Sequence, residues 1–189
     1  HIFGAVRTFQ GRAMGDFVPK YLGPSGDKKG SILFGVDEAF GAEDVLIVEG
    51  PLDVISLAGK GYTAIGLMGK VATMSQATLL KKVGIRRAIV MLDSDARRDA
   101  GKVATLLSEV LDEVRIAELP EGLDPDDASP EILASSISLS RASLCLRRSS
   151  AAASAARVAG SARASAALAF RCRSPVVPGA SSSGPAGSK

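Results

Sequence analysis

The sequence has no tryptophan, only 4% aromatic residues, two cysteines and one histidine, His1. With no histidine inside the chain, a Ser-His-Asp or Cys-His catalytic site lacks its base. Both cysteines, Cys145 and Cys172, lie in the last third without paired Cys or His partners, which excludes a zinc site. No run approaches the roughly 18 consecutive apolar residues that a membrane span requires. The opening residues His1 to Gln10 carry no basic and apolar leader pattern, and a start at His1 reads as a fragment or an incomplete reading frame. Acid is missing from one part only. Residues 135–189 contain 8 Lys/Arg and no Asp or Glu, whereas residues 1–134 contain 15 Lys/Arg and all 20 acids. The formal charge of +3 therefore averages an acidic segment and a basic one.

What is present divides the 189 residues into three. Residues 1–40 are glycine-rich with short apolar runs and basic residues, and read as a small β-rich lead-in. Residues 41–134 form an α/β domain. In residues 135–189, serine and alanine supply 29 of 55 positions. That composition offers too little apolar surface to offset the entropy of ordering, so a disordered tail is expected. A basic tail could hold phosphate backbones loosely; a solvated tail or an altered reading frame after Glu131 accounts for it as well.

In the middle segment, apolar runs alternate with helical patterns. Val45–Val48 reads as a buried strand, and Pro51 suits the first position of a helix running to Ala58. Ala64–Leu67 is a second strand. Thr73 and Gln76 form a capping-box signature before a helix with Ala77, Leu80 and Val83 on one face. Ala88–Leu92 is a third strand, Ala100–Leu111 an amphipathic helix, and Val114–Leu119 a fourth strand. Such alternation implies right-handed crossovers and a mainly parallel sheet flanked by helices.

In a parallel sheet, ligands bind beyond the carboxyl ends of the strands, and the acids fall there. Glu49 follows the first strand, Asp93 and Asp95 the third, and Asp124, Asp126 and Asp127 the fourth. A single acid after a strand also serves as a turn former or helix cap. Three groups after three strands would repel one another unless a cation joined them. All-oxygen ligands suit Mg2+ or Mn2+, and such ions serve phosphoryl or nucleotidyl transfer.

These residues also carry a resemblance. Glu49-Gly50-Pro51-Leu52-Asp53, Asp93-Ser94-Asp95 and Leu119-Pro120-Glu121-Gly122-Leu123-Asp124-Pro125-Asp126 are similar, in order, to the EGxxD, DxD and LPxGxDPD motifs of the Toprim domain in its bacterial and phage DNA-primase form. Upstream, Phe9-Gln10-Gly11-Arg12, Pro19-Lys20-Tyr21-Leu22-Gly23 and Lys28-Lys29-Gly30 resemble further primase elements. The likeness runs over residues 7–130. It implies a Toprim-type fold and metal-dependent synthesis of RNA primers from ribonucleoside triphosphates on single-stranded DNA. Glu49, Asp93 and Asp95 would be catalytic and metal-binding, Asp124 and Asp126 would help hold a further metal, and Asp53 would support or join that set. Arg12, Lys20 and Lys29 would contact template or nucleotide phosphates. A replicative helicase partner, acting through parts not seen here, and a cytoplasmic location in a bacterium or infected bacterial cell also follow from the resemblance.

The loop Asp93-Ser94-Asp95-Ala96-Arg97-Arg98 departs from the primase DGDxAG pattern, with serine second and arginine where the later glycine belongs. Two alternatives remain open: a Toprim nuclease using the same acids, and a non-catalytic remnant that binds nucleic acid or nucleotide. Gly66-Leu67-Met68-Gly69-Lys70-Val71 looks like a phosphate loop, but Ala64 and Val71 break the Walker pattern. It reads as a strand-to-helix turn. A topoisomerase would need a tyrosine nucleophile, and Tyr21 and Tyr62 are the only tyrosines.

Overall fold

The computed structural model describes residues 2–19, 21–24 and 29–142. Lys20, Lys28 and the serine- and alanine-rich stretch from 143 onward lie outside the described residues. Among its described residues, the lead-in holds one short antiparallel pair, β1 (Gly11–Arg12) and β2 (Tyr21–Leu22), with Arg12 opposite Tyr21. A single 3-10 turn at Lys29–Ser31 follows. Isolated bridges at Ile2–Ala5 and Phe34–Gly66 add to the β-structure of its described residues.

The alternating segment folds as its pattern predicts. β3 (Asp44–Val48), α1 (Pro51–Gly59), β4 (Ala64–Gly66), α2 (Met74–Lys82), β5 (Arg87–Val90), α3 (Arg97–Ser108) and β6 (Glu113–Ile116) follow in chain order. α4 (Pro130–Ser138) and a short β7 (Arg141–Ala142) complete the described part. The sheet order is β4-β3-β5-β6-β7, with β3 to β6 mutually parallel and β7 antiparallel to β6. Among the described residues no helix is long and apolar enough to cross a membrane.

A strand's side chains alternate between its two faces, and both faces here are covered. Val45, Ile47, Ala88 and Val90 pack on one side with Ala77 and Leu80 of α2 and Val103, Ala104 and Leu107 of α3. Leu46, Val48, Ile89 and Met91 pack on the other with Val54 and Leu57 of α1 and Leu133 and Ile137 of α4. Burial on both faces is why β3 and β5 read as continuous apolar runs rather than alternating ones.

Two polar devices join the lead-in to this core. Phe34 and Gly66 exchange backbone hydrogen bonds, each 3.0 Å, across the outer side of β4. Gln76, 1% exposed, donates from Nε2 to the carbonyls of Lys29, Ile32 and Leu67 at 3.3, 2.8 and 2.9 Å. Its Oε1 accepts from Thr73 N–H at 3.0 Å, and Thr73 Oγ1 accepts from Gln76 N–H at 3.2 Å, so the expected capping box is formed.

Several boundaries differ from the sequence reading: the helix expected to reach Leu111 ends at Ser108, and the strand expected to reach Leu119 ends at Ile116. The helix expected over 100–111 begins at Arg97, continuing a 3-10 turn at Ser94–Ala96. Ordered structure also passes the expected limit at 134, since α4 runs to Ser138 and β7 reaches 142. Ser129 caps α4 by accepting from Ile132 N–H at 3.4 Å, and Pro130 fills the first turn. Ser135 and Ser138 return their hydroxyls to helix carbonyls, so serine-rich composition does not prevent the helix. Ile137 docks on the core.

Candidate active site

The acids gather where the parallel strands end. Glu49 directly follows β3, Asp93 lies just beyond β5, and Asp124 and Asp126 occupy the loop between β6 and α4. Gly50 caps α1 in an extended conformation and donates its N–H to Asp53 Oδ2 at 2.8 Å, which ties the first motif into one turn. β4 crosses close by. A Cβ on Gly66 would fall 3.1 Å from the Gly50 carbonyl oxygen, so a side chain there would press this turn outward by a few tenths of an ångström.

The second acid pair is shaped by the 3-10 turn, in which Ala96 N–H donates to the Asp93 carbonyl at 2.9 Å. Ser94, the residue that departs from the glycine of the primase pattern, accepts from Gly122 N–H through its hydroxyl at 3.2 Å. That bond joins the Asp93–Asp95 turn to the late-acid loop. The late loop is also clamped from behind: Ser56 Oγ donates to the Asp126 carbonyl at 2.9 Å. Lys60 Nζ donates to the carbonyls of Asp126 and Ala128 at 2.7 and 2.9 Å.

The carboxylates feel one another. Burial, then Asp93, raises the Glu49 carboxyl above its ordinary range, with Lys70 opposing. Burial followed by Asp124 raises Asp93, and burial followed by Asp126 raises Asp124. Asp53, 9% exposed, is pushed up to about 6 by burial, against the Gly50 N–H bond, with Asp93, Asp126 and Glu49 adding to the rise. Glu49 Oε2 and Asp93 Oδ1 are buried and have no hydrogen-bond partner. Unpartnered carboxylate oxygens in a repelling group are the donor chemistry of a hard divalent cation. Among the described residues, however, no three acids, histidines or cysteines stand close enough together to hold an ion as they are.

Lys70 is the residue that the sequence reading passed over. Its Nζ lies 3.0 Å from both oxygens of Asp95 and 3.9 Å from Glu49 Oε2. The loop after β4 puts it there. Leu67 N–H donates to the Val48 carbonyl at 3.0 Å and Gly69 N–H to the Glu49 carbonyl at 3.2 Å, while Met68 turns the chain with φ 64°. A non-glycine residue in that region marks a backbone held by its surroundings. The turn reading was right, but it missed the lysine. Its place follows from β4 lying beside β3 in the sheet, which local sequence does not reveal.

The basic residues are placed elsewhere. Arg12 donates from Nη1 to Tyr21 Oη at 3.1 Å, with its guanidinium 5.4 Å from the ring centre. Arg12 lines an open groove of about 1170 Å3 together with Arg7, Tyr21, Leu52, Ile55 and Met68, and none of the acids of the first two motifs lines it. Lys29 begins the 3-10 turn that Gln76 anchors. The structure thus brings Glu49, Asp53, Asp93, Asp95, Asp124 and Asp126 to one edge and leaves Arg12 in the adjoining groove.

Residues 46–129 match the family model described as Toprim-like. Among curated proteins, the chain is similar to the DNA primases of Deinococcus radiodurans, 37% identical over 138 residues, and Clostridium acetobutylicum, 35% identical over 136. Each alignment takes in 66% of this chain, and 24% and 22% of those proteins respectively, so the chain spans about a quarter of their length. Among solved structures, it is similar to the zinc-binding and RNA polymerase domains of the Aquifex aeolicus primase, with 28% identity and a TM-score of 0.61 over 72% of this chain and 38% of that one. A primase catalytic domain bound to ssDNA matches with 27% identity and a TM-score of 0.59, over 71% of this chain and 48% of that one.

Proposed function

We propose that this chain, whose residues 46–129 are a Toprim-like domain of the kind found in bacterial DNA primases, carries the nucleotidyl-transfer centre of a primase. On this reading it adds ribonucleotides to a growing RNA primer on a single-stranded DNA template. The observation that carries the proposal is the pair of buried, unpartnered oxygens, Glu49 Oε2 and Asp93 Oδ1, at the ends of adjacent parallel strands. Ribonucleoside triphosphates are the substrates, a replicative helicase is a partner of the longer protein, and the bacterial cytoplasm is where it works.

Glu49, Asp93 and Asp95 hold Mg2+ or Mn2+ in this reading, and Asp124 and Asp126 hold a second ion. When bound, such ions neutralise phosphate charge and lower the pKa of an attacking hydroxyl. The protein's own share is positioning. The Ser94–Gly122 bond ties the two acid loops together, and the Lys60 and Ser56 clamp ties the late loop to α1. Asp53 holds the Gly50 turn, and so sets the direction in which Glu49 leaves its strand. Arg12, Lys20 and Lys29 attract the template and nucleotide phosphates, as the groove beside Arg12 would allow.

The test is primer extension by the 189-residue chain with ribonucleotides, Mn2+ and single-stranded DNA, beside calorimetric Mn2+ titration. Glu49→Gln and Asp93→Asn should each lower extension at least a hundredfold and weaken Mn2+ binding. Shortening of the labelled DNA by the wild-type chain would point to a nuclease instead. Retained nucleic-acid affinity in a folded chain that binds no Mn2+ would leave a binding remnant and overturn the proposal.

A further inference from the structure

Six carboxylates gather at this edge of the sheet, and the Lys70 ammonium stands among them. The Lys70 ammonium is equidistant, at 3.0 Å, from Asp95 Oδ1 and Oδ2, and 3.9 Å from Glu49 Oε2. It therefore bridges the chain segments that follow the neighbouring strands β3 and β5. Yet it satisfies the group incompletely, since Glu49 Oε2 and Asp93 Oδ1 keep no hydrogen-bond partner. A single charge on a long stem neutralises one carboxylate well and leaves the others facing one another. A divalent ion has twice the charge and takes several oxygens at once.

The lysine is also built to leave. Its side chain is 40% exposed, and the charge can remain in water as the stem moves. By contrast, the loop beneath it is held by the Gly69 and Leu67 backbone bonds to β3, so the stem can swing while its root stays fixed.

We infer that Lys70 is a displaceable internal counter-ion: its ammonium occupies the place of a divalent cation on Asp95, and cation binding expels it. The inference rests on the reading of these acids as cation ligands. In its present place the lysine engages Asp95 on both oxygens. The inference makes the lysine a determinant of cation affinity: occupancy must compete with an intramolecular ion pair.

The experiment is Mn2+ binding by calorimetry on the 189-residue chain in three forms: wild type, Lys70→Met and Lys102→Met. Lys102 is the control, pairing with Asp99 at 2.8 Å on α3. Lys70→Met should bind Mn2+ about tenfold more tightly, since both competitor and opposing charge are gone, while Lys102→Met stays within about twofold. A second measurement needs no variant. Amine-reactive labelling of the wild-type chain, mapped by mass spectrometry, should show Lys70 modified several-fold faster at saturating Mn2+, with Lys102 unchanged. Unchanged or weaker Mn2+ binding by Lys70→Met would overturn the inference, and so would unchanged Lys70 labelling on saturation; either would leave the cation-ligand reading standing. Absence of Mn2+ binding in every form would overturn both.

Discussion

Asp53 is an acid on the first turn of a helix, where negative charge is ordinarily favourable, yet its surroundings hold it toward the neutral form. Burial, despite the Gly50 N–H bond, lifts its carboxyl from 3.8 to about 6. The folded state therefore binds this proton more tightly than the unfolded state. The stabilisation so conferred is complete below pH 3.8 and is lost as pH rises through about 6. Over the whole range the difference is about 3 kcal/mol, and between pH 5 and pH 8 it is about 1.4 kcal/mol. Asp53→Asn keeps an oxygen to accept from Gly50 N–H and removes the charge. Urea denaturation of both proteins from pH 5 to pH 8 should show the variant gaining on the wild type by about 1–2 kcal/mol as pH rises. Comparing the two at each pH largely cancels the titration of Glu49, Asp93 and Asp124, which both share. A stability difference that stays constant with pH would refute the reasoning. It would mean that Asp53 is ionised throughout and works as an anchor for the turn.

Three further outcomes follow from contacts that involve no carboxylate. Gln76→Ala removes the buried amide that joins Lys29, Ile32 and Leu67, and should cost about 2–4 kcal/mol in urea denaturation while speeding protease cleavage in the lead-in; a loss below about 1 kcal/mol would count against that role. Lys60→Met leaves the Asp126 and Ala128 carbonyls without their ammonium donor. It should lower stability by about 1–2 kcal/mol and weaken Mn2+ binding measured by calorimetry, although no acid is changed. Ending the chain after Ala134 removes Ile137, which is 8% exposed, along with the last turn of α4; thermal and urea denaturation should show a loss of about 2–4 kcal/mol.

The sheet was legible because its strands are buried on both faces. Val45–Val48 and Ala88–Leu92 are apolar without interruption and rich in β-branched residues, and the Thr73–Gln76 pair announces a helix by local hydrogen bonding alone. The acids after β3, β5 and β6 could be placed at one edge once the sheet was taken as parallel. What stayed hidden depends on contacts between distant segments. α4 is hidden by its serine-rich composition, since only membership of the cluster with Leu46, Leu57 and Met91 distinguishes Leu133 and Ile137 from residues of a tail. Lys70 looked like the end of a failed phosphate loop because its meaning comes from the pairing of β4 with β3. Gln76 reads locally as half of a capping box, yet three of its partners lie in the lead-in and the β4 loop. The expected division at residue 40 separates segments that these bonds unite.

The reciprocal hydrogen bonds between Phe34 and Gly66 have a consequence for how copies of this chain meet one another. β4 is the outermost of the parallel strands on its side, and an outermost strand offers unpaired N–H and C=O groups to any extended chain that comes alongside. Phe34 takes that place at Gly66, while β7 covers β6 at the opposite margin. A chain cut at residue 41 would keep every acid of the candidate site but bare one flank of the sheet. Its first new property would then be self-association, visible as a concentration-dependent shift in size. The lead-in thus shields part of the β4 edge, whatever its basic residues do with a nucleic acid.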